Sequence, residues 1–155
     1  MNTQPPFPKW EELPVLDLYL DQVLLYVNTI CTPSLSSNEK KLTASMINNY
    51  VKHGYISKPS KKKYERRQVA RLIAITTLKT VFSIQEISAT LNILHQQANS
   101  KALYNDFVDY MNGKNNEVAP IIATACQTVK LYQKTLSFIQ EPKEEKSNES
   151  LTKTK

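Results

Sequence analysis

The chain has 155 residues, enough for one compact domain with its own core or for a small domain with an arm. Hydrophobic residues make up 41% of the chain and charged residues 22%, which favours a folded globular protein over a disordered one. Only two glycines occur, Gly54 and Gly113, so the glycine-rich phosphate loops of nucleotide-dependent enzymes are excluded.

The residues that most often carry catalysis or bind metals are few and scattered. Cys31, Cys126, His53 and His95 lie far apart, which gives neither a zinc-binding spacing nor a disulfide framework. We interpret the histidines as helix-end or surface residues and the cysteines as small buried hydrophobes. The sequence therefore predicts no enzyme, with no catalytic residue, no metal site and no cofactor.

The sequence predicts neither a signal peptide nor an apolar stretch long enough to span a membrane. The small number of separated cysteines is typical of a reducing compartment. We therefore expect a cytoplasmic protein with no membrane partner.

The positive charge is concentrated in the middle of the chain. The formal net charge is +6, but residues 38–79 contain eleven basic and two acidic residues and so carry +9 by themselves. Their densest part runs from Lys58 to Arg71. Such a cluster favours a polyanionic partner, since basic groups that bind nucleic acid release counterions, and a solvated basic loop is the alternative.

The N-terminal part of the chain predicts an arm followed by a helix. Residues 1–15 contain four prolines around Trp10 and predict an extended arm, with Trp10 covering part of the core. Asp17 is a candidate N-cap for a first helix that reaches about Ile30. Its apolar residues recur at steps of three and four, namely Leu20, Val23, Leu24, Val27 and Ile30.

After a polar connection, the second predicted helix is short and well bounded. Thr43 is a candidate N-cap, and Gly54 is a candidate left-handed stop. The apolar stripe between them consists of Met46, Ile47, Tyr50 and Val51. Residues 55–64, with Pro59 and the lysines, predict a loop or a small two-stranded wing.

Two further helices follow the basic segment. The third is predicted from Arg66 to about Lys79, with Arg67, Arg71 and Lys79 directed toward water. Ser83 and Glu86 have the spacing of a capping box, in which each side chain accepts the free backbone N–H of the other residue, and they predict the start of the fourth helix.

The last two predicted helices precede a polar tail. Ser100 is a candidate cap for the fifth helix, which ends before Gly113, and Pro120 suits the first turn of the sixth. Beyond Pro142 the mixture of Lys, Glu, Ser and Asn predicts disorder over residues 141–155.

The order of these elements carries a family resemblance. The segments concerned are SMINNYVKHGYI at 45–56, KY at 63–64, VARLI at 69–73 and FSIQEI at 82–87. Together they resemble the MerR-type winged helix-turn-helix DNA-binding domain, over about residues 17–94. The whole chain, including PKWEELP at 8–14 and DLYLDQV at 17–23, also resembles a small family of Gram-positive bacterial proteins of unknown function.

The resemblance implies an all-α fold with a small β-wing and a C-terminal helical extension. It places a winged helix-turn-helix-like domain at residues 16–95 and a C-terminal helical, dimerisation region at 96–140. The protein would be a regulator of transcription that binds double-stranded DNA, with residues 43–53 as the recognition helix in the major groove. The sequence identifies no small-molecule effector.

The same resemblance implies two groups of DNA contacts. Contacts from the recognition helix would come from Thr43, Ser45, Asn48, Asn49, Lys52 and His53. Contacts from the wing and the entry of the next helix would come from Lys58, Lys61, Lys62, Lys63, Tyr64, Arg66 and Arg67. Basic groups of the wing hold phosphates, whereas amide side chains of the helix can read base edges. Tyr64 would either touch a phosphate or pack the wing against the body.

Two other functions remain open from the sequence. The family pattern usually has Arg and Tyr at the positions of Asn48 and Asn49, which motivates a protein-interaction adaptor that retains the winged fold without reading bases. RNA binding is the third possibility, although only Tyr55 and Tyr64 could serve as stacking platforms within the basic segment.

The sixth helix has an apolar stripe that needs a partner. Its members are Ile122, Ala125, Val129, Tyr132, Leu136 and Ile139. They are predicted to form the seam of a homodimer, as in MerR-type proteins, and packing against helices four and five is the alternative.

Overall fold

A computed structural model describes residues 5–34 and 41–152, and for residues 34 and 141–152 it describes the backbone only. The described chain is mostly helical, as predicted, with one two-stranded sheet. The elements are β1 (Leu18–Tyr19), α1 (Leu20–Cys31), α2 (Ala44–Lys52), β2 (Lys63–Tyr64), α3 (Arg66–Leu78), α4 (Ile84–His95), α5 (Ser100–Met111) and α6 (Pro120–Thr152).

Helix α3 is the centre of the fold. Its residues from Gln68 to Leu78 are all buried except Arg71, which is half-buried, and α3 packs against α1, α4, α5 and α6. A helix that is apolar around most of its circumference is stable only when neighbours surround it. The prediction that Arg71 faces water is therefore wrong, because the neighbouring helices enclose its side of α3.

Local capping signals place several helix ends. The Ser83 and Glu86 box is confirmed, since Ser83 Oγ accepts from Glu86 N at 3.1 Å and Glu86 Oε1 accepts from Ser83 N at 2.9 Å. The cap of α5 is Asn99, whose Oδ1 accepts from Ala102 N at 2.8 Å, so the predicted cap at Ser100 is one residue late.

The start of α1 differs from the prediction for a long-range reason. Leu18 and Tyr19 pair antiparallel with Tyr64 and Lys63 and form β1, so the helix begins only at Leu20. Asp17 therefore lies before a strand and does not cap the helix. In its place, the side chain of Gln22 accepts the backbone N–H of Tyr19 at 2.8 Å.

The N-terminal arm packs against α5. Phe7 and Leu13 are buried, and Asn112 bonds the backbone of Phe7 twice, through Oδ1 at 2.8 Å and Nδ2 at 3.1 Å. Trp10 stacks edge-on against Tyr104 with ring centroids 6.3 Å apart, as its predicted covering role requires. The arm thus adds apolar surface to a core that also includes residues of α1 through α6.

Helix α6 divides into a packed part and a projecting part. Ile122, Cys126 and Val129 are buried against the body, whereas Phe138 and Ile139 are more than half exposed. The helix continues to Thr152, past the position near Pro142 where the sequence predicts an end. Lys and Glu, which are good helix formers, dominate that stretch, and residues 153–155 of the predicted tail lie outside the described range.

Candidate nucleic-acid interface

Helix α2 is amphipathic and bounded at both ends by its own residues. Thr43 is the N-cap, with Oγ1 accepting from Met46 N at 3.2 Å. Gly54 follows the last turn at φ +77°, a left-handed conformation that glycine adopts without Cβ strain. Ile47 and Tyr50 are buried, so the opposite side of the helix is left for solvent.

That opposite side carries the predicted contact residues. Every member of the recognition-helix group is exposed, namely Thr43, Ser45, Asn48, Asn49, Lys52 and His53. The His53 ring lies 5.9 Å from the Tyr55 ring, which orients the imidazole at the C-terminal end of the helix. Amide, hydroxyl and ammonium groups therefore share one solvent-facing surface, which we call the α2 face.

A side chain on α1 holds the start of α2 in place. The side chain of Asn28 makes two hydrogen bonds to the backbone of Leu42. Its Nδ2 donates to the Leu42 carbonyl at 2.9 Å, and its Oδ1 accepts from the Leu42 N–H at 2.8 Å. Residues 35–40, which are half of the long polar connection between these helices, lie outside the described residues. The Asn28 bonds therefore fix the register of α2 on α1 locally.

The segment after α2 is bonded to α3. Gln68, which is buried, donates from Nε2 to the carbonyls of Ser57 at 2.9 Å and Lys58 at 3.2 Å. Arg71 donates from Nε to the Tyr55 carbonyl at 2.7 Å. These backbone carbonyls belong to the connection between α2 and the lysines. Helix α3 therefore fixes the position of α2 and the position of the lysines.

The lysines stand at a tight turn with an unfavourable backbone. Ser60 and Lys63 exchange two backbone hydrogen bonds, at 3.0 and 2.9 Å, and enclose Lys61 and Lys62. Both enclosed residues have positive φ, 51° and 66°, the pattern of a type I′ turn that favours Asn and Gly. Holding a lysine in this region costs about 1–2 kcal/mol. Both lysines are exposed at the tip, and we call residues 60–63 the lysine turn.

The sheet beside the lysine turn differs from the predicted local wing. Its second strand, β2, pairs with β1, which comes from before α1. Tyr64 is 3% exposed and faces the core, so packing is its role and its placement among the DNA contacts is wrong. Lys63 is half-buried, with its ammonium 5.0 Å from the centre of the Tyr19 ring.

The two arginines at the start of α3 differ in how accessible their guanidinium groups are to a ligand. Arg66 is turned toward the arm, with Nη2 3.4 Å from the Leu13 carbonyl and its guanidinium 6.0 Å from the Trp10 ring centre. Arg67 is half exposed and pairs with Glu65 at 3.3 Å. An exposed pair of this kind contributes little stability, so Arg67 remains accessible to a phosphate, whereas Arg66 is largely used within the fold.

Both cysteines of the chain are buried. Burial raises the pKa of the Cys31 thiol and of the Cys126 thiol to about 12, so neither sulfur is a thiolate at neutral pH. Within residues 5–33 and 41–140, where the side chains are described, no three metal-ligating side chains lie close enough to hold an ion.

Three positioning residues are not evident from the sequence: Asn28, Gln68 and Arg71. Each acts on backbone atoms that are distant along the chain, and no local motif marks such a bond.

Fold and site together define a mostly helical protein with a small two-stranded sheet and a polar, cationic surface. A family model described as a domain of unknown function (DUF1836) matches residues 8–107, about two thirds of the chain. The chain therefore belongs to that family. Comparison with curated proteins and with solved structures gave no match in either set. None of the described helices is long and apolar enough to cross a membrane.

Proposed function

We propose that the protein is a cytoplasmic regulator of transcription that binds double-stranded DNA through a winged helix-turn-helix arrangement. The α2 face enters the major groove, and the lysine turn lies on the phosphates beside it. The observation that carries the proposal is the fixed connection between these two parts, since Gln68 and Arg71 bond the segment between them to the central helix. No catalysis is part of this proposal.

The charges of this region support it. Five of its cations are exposed: Lys52, Lys58, Lys61, Lys62 and Arg67. The backbone strain at Lys61 and Lys62 supports it as well, because strain that is retained at a surface turn points to a function for the residues there. A turn needed only for folding would be served better by Asn and Gly.

The proposal predicts steep salt dependence of DNA binding. Titration of the protein onto random-sequence duplex DNA should give a line of log K against log salt with a slope of about −4.5, since each of five phosphate contacts contributes roughly −0.9. Fluorescence anisotropy with labelled duplexes at several salt concentrations measures this slope. A flat or absent response favours the protein-interaction adaptor, and tighter binding to single-stranded RNA of equal length favours RNA recognition.

We propose further that the protein is a homodimer, through a smaller seam than the sequence predicts. Ile122 and Val129 are buried within one chain, so these two cannot form it, and Ala125 is partly buried and packs against the core. Tyr132 and Ile139 are exposed and Leu136 is half-buried. Within residues 120–140, where the side chains of α6 are described, the exposed large apolar residues lie within an arc of about 120° on the helix, at roughly 100° per residue. They are Leu131, Tyr132, Phe138 and Ile139.

Substitution of Phe138 and Ile139 by Ser should convert the dimer to a monomer, because they are the two most exposed of the four large apolar side chains of the seam. Sedimentation equilibrium at several protein concentrations measures the mass. Ile93→Ser is the matched control, since Ile93 is also about half exposed but lies on α4. A monomeric wild-type protein, or a control that dissociates equally, would contradict the seam.

A further inference from the structure

A cavity of about 400 Å³ lies between α3, α4, α5 and α6. Pockets that bind small organic ligands have volumes of roughly 300–1,000 Å³, so the cavity is large enough for one. Gly54 and Tyr55 border it from the loop after α2. The residues proposed to contact DNA all lie in the described part of the chain, and Arg67 is the only one of them that also lines the cavity.

The inner walls of the cavity are apolar. Side chains from four helices form them, among them Ala74, Leu78, Leu94, Leu103, Phe107 and Ile122. Such walls provide a favourable environment for a hydrocarbon or an aromatic group, whose transfer from water stabilises the bound state by about 25 cal/mol per Å² of buried apolar surface.

One end of the cavity is cationic. Arg67, Arg71, Ala74 and Leu78 line it at steps of four, three and four residues, so they share one side of α3. The lining changes along this side from guanidinium groups to apolar side chains over about 16 Å, at roughly 1.5 Å per residue. His95 is the third basic residue, and no carboxylate belongs to the described lining.

Arg71 is the central group of the cationic end. It is half-buried and bonds the Tyr55 carbonyl through Nε, yet no carboxylate of the described chain lies within 4 Å of it. Burial lowers the pKa of its guanidinium, and burial together with Arg71 lowers the pKa of His95. A cation held partly out of water without an anion is unfavourable, and a bound anion would offset that cost.

We propose that this cavity binds a small amphipathic carboxylic acid. Its carboxylate pairs with Arg71, with Arg67 as the second cation, and its apolar chain lies between α3 and α6 toward Leu78 and Ile122. Arg offers two parallel N–H donors to a carboxylate, which suits this end of the cavity. The inference extends beyond DNA recognition and does not depend on it.

Calorimetric titration of the full-length protein with decanoate tests the proposal, with 1-decanol as the uncharged probe of equal chain length. We expect saturable binding of one decanoate per chain and binding of decanol weaker by at least about tenfold, because the alcohol cannot form the charge-assisted pair. Absence of saturable decanoate binding would overturn the site, and equal binding of both probes would overturn the carboxylate assignment.

Five variants locate the ligand. Arg71→Gln should weaken decanoate binding by about tenfold or more while leaving decanol binding unchanged, and Arg71→Lys should restore part of the loss. Ala125→Phe should abolish binding of both probes by filling the apolar end of the cavity. If Ala125→Phe does not fold, Ala74→Leu serves the same purpose. Arg66→Gln has the same change of charge as Arg71→Gln and lies outside the lining. If this control loses decanoate equally, or if both filled variants fold and bind normally, the assigned location is wrong.

Discussion

Replacement of Lys61 by Asn and Lys62 by Gly is expected to weaken DNA binding and, at the same time, to stabilise the fold. The variant loses two phosphate contacts, so the slope of log K against log salt should become shallower by about 2. It also places at the lysine turn the residue pair that positive φ at both central positions favours. The free energy of unfolding, measured by urea denaturation, should rise by about 1–2 kcal/mol.

The charge-only variant Lys61→Gln/Lys62→Gln separates these two effects. Glutamine removes the same two charges but remains strained at positive φ, so DNA binding should fall equally while stability stays near that of the wild type. Lys101→Gln/Lys134→Gln has the same change of charge on α5 and α6 and should leave the slope almost unchanged. Equal loss of binding in that control would mean that net charge, not the lysine turn, determines affinity. If the Asn-Gly variant binds DNA as the wild type does, the turn has no part in binding.

The features of the fold that depend on neighbouring residues in the chain were predicted well from the sequence. The bounds of α2 follow from Thr43 and Gly54, and the start of α4 follows from the Ser83 box, because caps and stops act within one helical turn. The exposure of Asn48 and Asn49 follows from the burial of Ile47 and Tyr50 on the same short helix. In such cases the periodicity of the apolar residues decides which side chains face solvent.

Features that depend on residues far apart in the chain were not predictable in the same way. The pairing of β1 with β2 joins segments separated by more than forty residues, and it displaced the start of α1 from Asp17. The sequence of the lysine turn contains neither Gly nor Asn, so its positive φ values have no local signal. Arg71 looks like a surface residue on α3 until α4, α5 and α6 are packed around that helix.

The apolar stripe of α6 illustrates why one pattern can support two structures. Periodicity identifies a face that avoids water but not what covers it. The body of the same chain covers Ile122 and Val129, and the helix then projects beyond it, which leaves Phe138 and Ile139 exposed. The intramolecular alternative describes the buried part of the helix, whereas the homodimer seam in the exposed part remains a proposal.

Replacement of Asn49 by Ala is expected to change base preference without changing the salt dependence. Asn49 is exposed on the α2 face, and an Asn amide can donate to and accept from adenine in the major groove. Selection of bound sequences from a randomised duplex pool should show a preference lost at one base pair, by about 1–3 kcal/mol, with the other positions unchanged. The slope against salt should stay that of the wild type, because the amide carries no charge.

Two further asparagine variants serve as comparisons for Asn49→Ala. Asn48→Ala should alter a different base pair, since adjacent residues on a helix point about 100° apart. Asn92→Ala removes an exposed amide from α4 and should leave the selected sequences unchanged. All three substitutions are at exposed positions, where effects on stability are usually within about 0.5 kcal/mol, so a change of preference cannot come from unfolding. If Asn49→Ala lowers the affinity for all sequences equally, the α2 face contacts DNA without reading its bases. If both α2 variants keep the base preferences of the wild type, α2 does not bind in the major groove.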